Sequence, residues 1–290
     1  MGVIQPAPAI VERVIRLFFR KLAVLHLPAP RADVRRAYGP ARYQFGDLRV
    51  PPGPGPHPVL MTIHGGFWRA KYGLEHLGHL CAALTDLGLA TWNVEYRRLG
   101  QPGGGWPGTF LDIVRAAEHL QVLAGGYPLN LERFAVLGHS AGGHLALWLA
   151  AAASGRTFSG IPELGETRLP PLGAAFSLAG VSDLAAAWEM DLGDGVVSDF
   201  MGGSPGQHPE RYASASPVEL LPIGVLQILL HGRLDETVPF ALSERYAEAA
   251  RSCGDPVQLV PLEGMGHFEP IDPRSAAWPI LSEVVLDVFN

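Results

Sequence analysis

Residues 134–153 read "FAVLGHSAGGHLALWLAAAA". A short apolar run of strand length meets Gly138-His139-Ser140-Ala141-Gly142 and continues as Ala and Leu over a helical length. A Ser between glycines at a strand-to-helix corner has two readings. Small residues let a helix pack close on a sheet, or the corner is strained and lifts the Ser hydroxyl clear of the sheet as a nucleophile. What the neighbouring strands deliver beside it decides between the two.

From Val59 onward the chain alternates. Short apolar runs stand at "VLMTI" (59–63), "ATWNVEY" (90–96), "RFAVLG" (133–138), "GAAFSLAG" (173–180), "GVLQILLHG" (224–232) and "VQLVPL" (257–262). Helical patterns fall between them near 73–87, 109–124, 140–153, 239–252 and 272–288. Continuous apolar strands alternating with helices predict an α/β fold with a mostly parallel central sheet covered on both faces. Residues 58–290 form the main domain in this reading. The segment 181–222 is too long for a simple crossover and predicts a small excursion over the carboxyl edge of the sheet, a short cap. The stretch 154–171 is likewise too short for a large lid.

Residues 1–57 read as an N-terminal helix and an edge hairpin, part of the main domain or packed on it. Val11, Val14, Ile15, Phe18, Leu22 and Leu25 share one face of a helix over 9–27, with Arg13, Arg16 and Arg20 opposite. The expected role is packing on the main domain or on a second copy. A basic helix lying on a membrane surface is the alternative. The hairpin is expected at "RYQFGDLRV", followed by the turn "PPGPGPHP".

Composition narrows the function. The chain of 290 residues is 48% hydrophobic and 17% charged, enough for a sizeable core. With 22 basic against 28 acidic residues and no basic stripe beyond the N-terminus, nucleic acid is excluded as a partner. Cys81 and Cys253 are too few for a disulfide framework and read as buried free thiols. The opening "MGVIQPAPAI" lacks a basic n-region and a cleavage site, and no apolar run spans a bilayer. The expectation is a cytoplasmic monomer or homodimer.

In an open α/β sheet, ligands bind at the carboxyl ends of the strands. There the chain delivers His64-Gly65-Gly66-Phe67-Trp68, then the Ser140 turn, then Asp235 in "HGRLDETVP", then His267 in "EGMGHFEP". A nucleophile, an acid, a base and a glycine pair with free N–H groups are what acyl transfer needs. The order Ser140, Asp235, His267, with G-x-S-x-G at 138–142 and H-G-G upstream, resembles the α/β-hydrolase fold over residues 58–290. "HGGFW" with "VEYRRLGQPGGGWPGTFLDI" is similar to its hormone-sensitive-lipase-like and kynurenine-formamidase-like branches. Phe67 departs from the lipase-like H-G-G-G, while H-G-G-x-W is the formamidase-like form.

The resemblance implies Ser140 as nucleophile, His267 as general base and Asp235 as its orienting acid. It also implies an oxyanion hole from the backbone N–H groups of Gly66, Phe67 and Ala141, and neither cofactor nor metal. Trp68, Trp106 and His139, with the Phe67 ring, are expected to line an aromatic substrate pocket. The activity implied is hydrolysis of small acyl or aryl esters through an acyl-enzyme. Alternatives are an arylformamidase acting on N-formylkynurenine, a membrane-associated lipase, and a non-catalytic binding module on the same scaffold.

Other titratable residues near these strand ends have readings of their own. Asp183 in "GVSDL" is read as a helix-start residue. His231 is read as packing, and Asp112 as ordering the loop before it. His76 and His79, beside Glu75, have a metal-like spacing but no further ligands and are assigned to a solvated helix face.

Overall fold

Strand residues that alternate between two apolar environments need a covered sheet, and the structure provides one. It is a computed structural model describing residues 23–156, 158, 160, 161, 163, 164 and 167–290. The expected helix over 9–27 lies outside the described residues, except for a single turn, α1 (Ala23–His26).

Eight strands form one sheet: β1 (Val34–Ala37), β2 (Phe45–Arg49), β3 (His57–Ile63), β4 (Ala90–Val94), β5 (Leu129–His139), β6 (Leu172–Leu178), β7 (Leu226–Gly232) and β8 (Val257–Leu262). Their spatial order is β1-β2-β4-β3-β5-β6-β7-β8. From β4 to β8 every pairing is parallel; β1 and β2 join antiparallel at one edge. The edge hairpin is therefore closed by β1 against β2 around residues 38–44, and not across the Pro-rich turn at 51–58. Proline has no N–H for a ladder, so that turn instead carries the chain from β2 past β4 to β3.

Period-two alternation divides each central strand between two cores. Val59, Met61 and Ile63 of β3 and Val136 of β5 face one; Leu60, Ala135 and Leu137 face the other. On the first face lie α3 (Gly108–Glu118), α5 (Ala141–Ala153) and α9 (Phe240–Ser252). On the second lie α2 (Gly78–Asp86) and α10 (Ala277–Phe289), with Val24 of α1. Between α3 and β5 runs the short α4 (Leu120–Ala124). All of Ala141–Ala151 is buried, which explains why α5 is written in Ala and Leu on every side.

The excursion at 181–222 folds as α6 (Leu184–Glu189), α7 (Val196–Met201), α8 (Pro209–Ala215) and a 3-10 turn, Pro217–Leu220. Asp183 starts α6 as expected, its side chain accepting the Ala186 N–H at 2.9 Å. The excursion is pinned to α5: Trp148 Nε1 donates to the Ser214 carbonyl and His144 Nε2 to that of Ala215, each at 2.9 Å. Asp112 accepts from Gln44 and from the Arg97 backbone and guanidinium, and so orders the 97–108 loop. Cys81 is a buried free thiol as expected, but Cys253 is exposed, because it follows α9 where the chain turns back at the surface.

Candidate active site

Ser140 stands between the last residue of β5 and the first of α5, at φ 56° and ψ −120°. A non-glycine residue there stores on the order of 1–3 kcal/mol of backbone strain. The corner is held by the Ser140 N–H bonded to the Leu178 carbonyl at 2.8 Å and by α5, whose His144 N–H returns to Ser140. The flanking glycines are required by close approach. A Cβ on Gly138 would collide with the Gly142 carbonyl, and one on Gly142 with that of Ile63.

Two strands away, the turn after β7 places Asp235 almost out of solvent. Its Oδ1 accepts the N–H groups of Thr237 at 2.8 Å and Val238 at 2.9 Å. Its Oδ2 accepts His267 Nδ1–H at 2.6 Å. Burial alone would raise the carboxyl pKa; hydrogen bonds from His231 and His267 outweigh it and hold Asp235 well below the usual carboxylate range. His267 follows β8, and its own carbonyl accepts Nε2–H of His139 at 2.9 Å. The loop is tightened by Gly266 N–H donating to Glu269.

Ser140 and His267 line one cavity of about 600 Å³. Gly66 and Phe67 form part of its wall. Gly66, Phe67 and Trp68 all have positive φ, at 109°, 50° and 53°. Among the described residues the N–H groups of Gly66 and Phe67 have no protein acceptor. Gly66 and Phe67, two of the backbone positions expected to face an oxyanion, thus line the same cavity as Ser140, and Ala141, the third, follows it directly in the chain.

The expected pocket residues divide. His139 lines the cavity. Burial, then the neighbouring His267 and His76, push it well below the ordinary histidine range, so it is neutral. Trp68 does not line the cavity: it is fully buried, stacked on Phe200 at 4.4 Å and edge-on to His144. Successive positive φ values send Phe67 to the cavity and Trp68 into the core. Trp106 packs edge-on to Phe110 at 5.1 Å and is also absent from the wall. His76 corrects the reading of a solvated face. It is buried against the His139 ring at 5.2 Å and lines the cavity, its pKa pushed down to about 3 by burial and by His64 and His267. Sequence periodicity missed this because His76 sits on a 3-10 turn, Leu74–Leu77, ahead of α2.

A second group missed in the sequence braces the His64-Gly65-Gly66 segment. His64 Nε2 meets Glu95 Oε1 at 2.8 Å, and its ring stacks on Tyr96 at 4.5 Å. Tyr96 Oη donates to the His64 carbonyl, and Glu95 also accepts the Leu74 and Tyr96 N–H groups and pairs with Arg98. Its signal was an acid at the carboxyl end of an apolar strand, in "VEYRR".

The BD-FAE family model matches residues 47–249, well over half of the chain. The chain belongs to the BD-FAE family. This BD-FAE chain is 25% identical over 225 residues to esterase LipC of Mycobacterium tuberculosis, covering 75% of this chain and 54% of that protein. It is 26% identical over 259 residues to a probable isoprenylcysteine alpha-carbonyl methylesterase, ICME, of Oryza sativa subsp. japonica, covering 84% and 60%. The chain thus spans little more than half the length of these curated relatives. Esterase B of Lactobacillus rhamnosis superposes with a TM-score of 0.76 at 17% identity, over 98% of this chain and 96% of that one. That likeness and the strand order establish the α/β-hydrolase fold for this BD-FAE member.

Proposed function

We propose that the chain is a serine carboxylic ester hydrolase acting on small acyl or aryl esters through an acyl-enzyme. The observation that carries the reading is the strained Ser140 sharing a cavity wall with His267, whose Nδ1–H is committed to Asp235. Family membership and the esterase names of LipC and ICME support it.

Ser140 Oγ attacks the ester carbonyl while His267 Nε2 takes its proton. Asp235, bound to Nδ1–H, keeps Nε2 unprotonated and pointed at the cavity, and stabilises the imidazolium that forms. The N–H groups of Ala141, Gly66 and Phe67 receive the negative charge of the tetrahedral oxygen; each such donor is worth on the order of 10²–10³ in rate. His267 returns the proton to the leaving alcohol, and water repeats the cycle on the acyl-enzyme. The cavity's size and its walls of Phe67, Tyr72, Phe268 and Leu25 suit an acyl or aryl group of modest length. The free cysteines support a reducing compartment such as the cytoplasm; no helix among the described residues is long and apolar enough to cross a membrane.

The test is hydrolysis of a p-nitrophenyl acyl series from acetyl to palmitoyl, with Ser140→Ala in parallel and N-formylkynurenine as a separate substrate. Rates that fall with chain length and vanish in the variant are expected. Preference for the formamide would replace the ester reading with the arylformamidase one. Wild type no faster than Ser140→Ala on every substrate would leave a binding module.

A further inference from the structure

Asp235 is the meeting point of two imidazoles, and only one has a place in the chemistry above. His231, at the end of β7, is fully buried. Its Nε2 lies 3.1 Å from Asp235 Oδ2 and 2.9 Å from the Val238 carbonyl oxygen. Both are acceptors, so Nε2 carries the hydrogen. In the neutral ring Nδ1 then holds a lone pair, and the hydroxyl of Ser243 on α9, 2.7 Å away, donates to it. The tautomer is thereby fixed from both sides. The same carboxylate oxygen takes His267 Nδ1–H.

We propose that His231 and Ser243 are positioning residues for the reaction at Ser140: Ser243 locks the His231 tautomer, and His231 Nε2–H holds Asp235 Oδ2 at His267 and shares its charge. The proposal rests on the ester-hydrolase reading of the same site. Sharing has a definite sign. A carboxylate oxygen that accepts a second N–H pulls less strongly on the first, so His231 lowers the proton affinity of His267 and keeps the base free at lower pH.

The charged and titratable surroundings are few. His267 faces Asp235 and the His139 ring at 4.7 Å, with His76 beyond His139. His231 faces Asp235, Ser243 and the Phe240 ring at 5.5 Å, and Arg233 covers that ring. His139 and His76 are neutral, so Asp235 dominates the field at both imidazoles.

The experiment compares the pH dependence of p-nitrophenyl ester hydrolysis, between pH 5 and 8, in wild type, His231→Leu, His231→Gln and Ser243→Ala. In His231→Leu, kcat should fall about 10- to 100-fold, the range for one hydrogen bond to a charged group. Its acid limb should move up by about half a pH unit or more, with KM little changed because His231 does not touch the cavity. His231→Gln, whose amide nitrogen reaches the Nε2 position, should restore most of both. Ser243→Ala should shift the limb the same way by less. A His231→Leu protein with the wild-type limb and kcat, altered only in melting temperature, would make His231 a packing residue and overturn the proposal. NMR titration of His267 reads the same shift without turnover. If wild type hydrolyses no ester, the function fails, while a wild-type His267 titration in Ser243→Ala, or in His231→Leu where that variant folds, still overturns the sharing.

Discussion

Two of the buried imidazole–carboxylate pairs at the carboxyl edge of this sheet are built alike, each a histidine against an acidic side chain. His267 meets Asp235 at 2.6 Å and His64 meets Glu95 at 2.8 Å. They differ in what the second ring nitrogen does. His267 gives Nδ1 to Asp235 and turns the rest of its ring to the cavity. His64 spends both nitrogens on protein oxygens, Nδ1 on the Gly65 carbonyl and Nε2 on Glu95, while Glu95 is also bound to Arg98 and two backbone N–H groups. A ring with one uncommitted nitrogen at a cavity can move a proton; a ring tied at both ends can only hold backbone in place. In the proposed reading one pair is machinery and the other is scaffold, and the difference lies in hydrogen-bond satisfaction.

That contrast is open to attack at several strengths. The largest effect is expected at His267: His267→Gln should lower kcat by on the order of 10⁴-fold or more while leaving the melting temperature close to wild type. Next comes Glu95→Gln, which removes the charge facing buried Arg98 and should cost about 3–5 kcal/mol in urea unfolding. Its surviving folded fraction should keep a normal pH profile. A large loss of stability in His267→Gln with normal kcat in the folded protein would reverse the two roles.

An imidazole with no carboxylate sharpens the comparison. His144 is fully buried under the excursion, its pKa pushed down to about 4 by burial. As pH falls the unfolded chain takes the proton first, so stability should drop between about pH 6.5 and 4, at up to about 1.4 kcal/mol per pH unit. His144→Gln can keep the donor to Ala215 and should remove one imidazole's share of the slope in thermal melts from pH 7 to 4, leaving the shares of buried His76 and His139. The smallest effect belongs to the carboxylates. Asp235 and Glu95 are both held below the usual range despite burial. Each contributes stability that is complete above about pH 4, the unfolded value, and lost as pH falls through the folded one. Glu95→Gln should therefore show a shallower loss below pH 4 than wild type.

Much of the site was legible because three of its residues are punctuation marks. Ser140, Asp235 and His267 each follow an apolar run, and a parallel sheet sends the ends of such runs to one edge. His231, Glu95 and Tyr96 also lie at strand ends, yet nothing in their spacing separates a brace from a reacting group. Trp68 and Phe67 are adjacent in sequence and opposite in fate, because a turn with three successive positive φ values points one ring into the cavity and the next into the core. The strand β1, "VRRA", was invisible: it is an exposed edge strand whose pattern carries no burial signal.

Hydrophobic period and strand-to-helix punctuation, both local properties of the chain, determined the sheet, the helices on its two faces and the corner that presents Ser140. Which nitrogen of which histidine is left uncommitted was decided only by tertiary structure, since hydrogen-bond satisfaction depends on partners such as Ser243, Val238 and Leu74 that packing alone brings within 3.2 Å of His231 and Glu95.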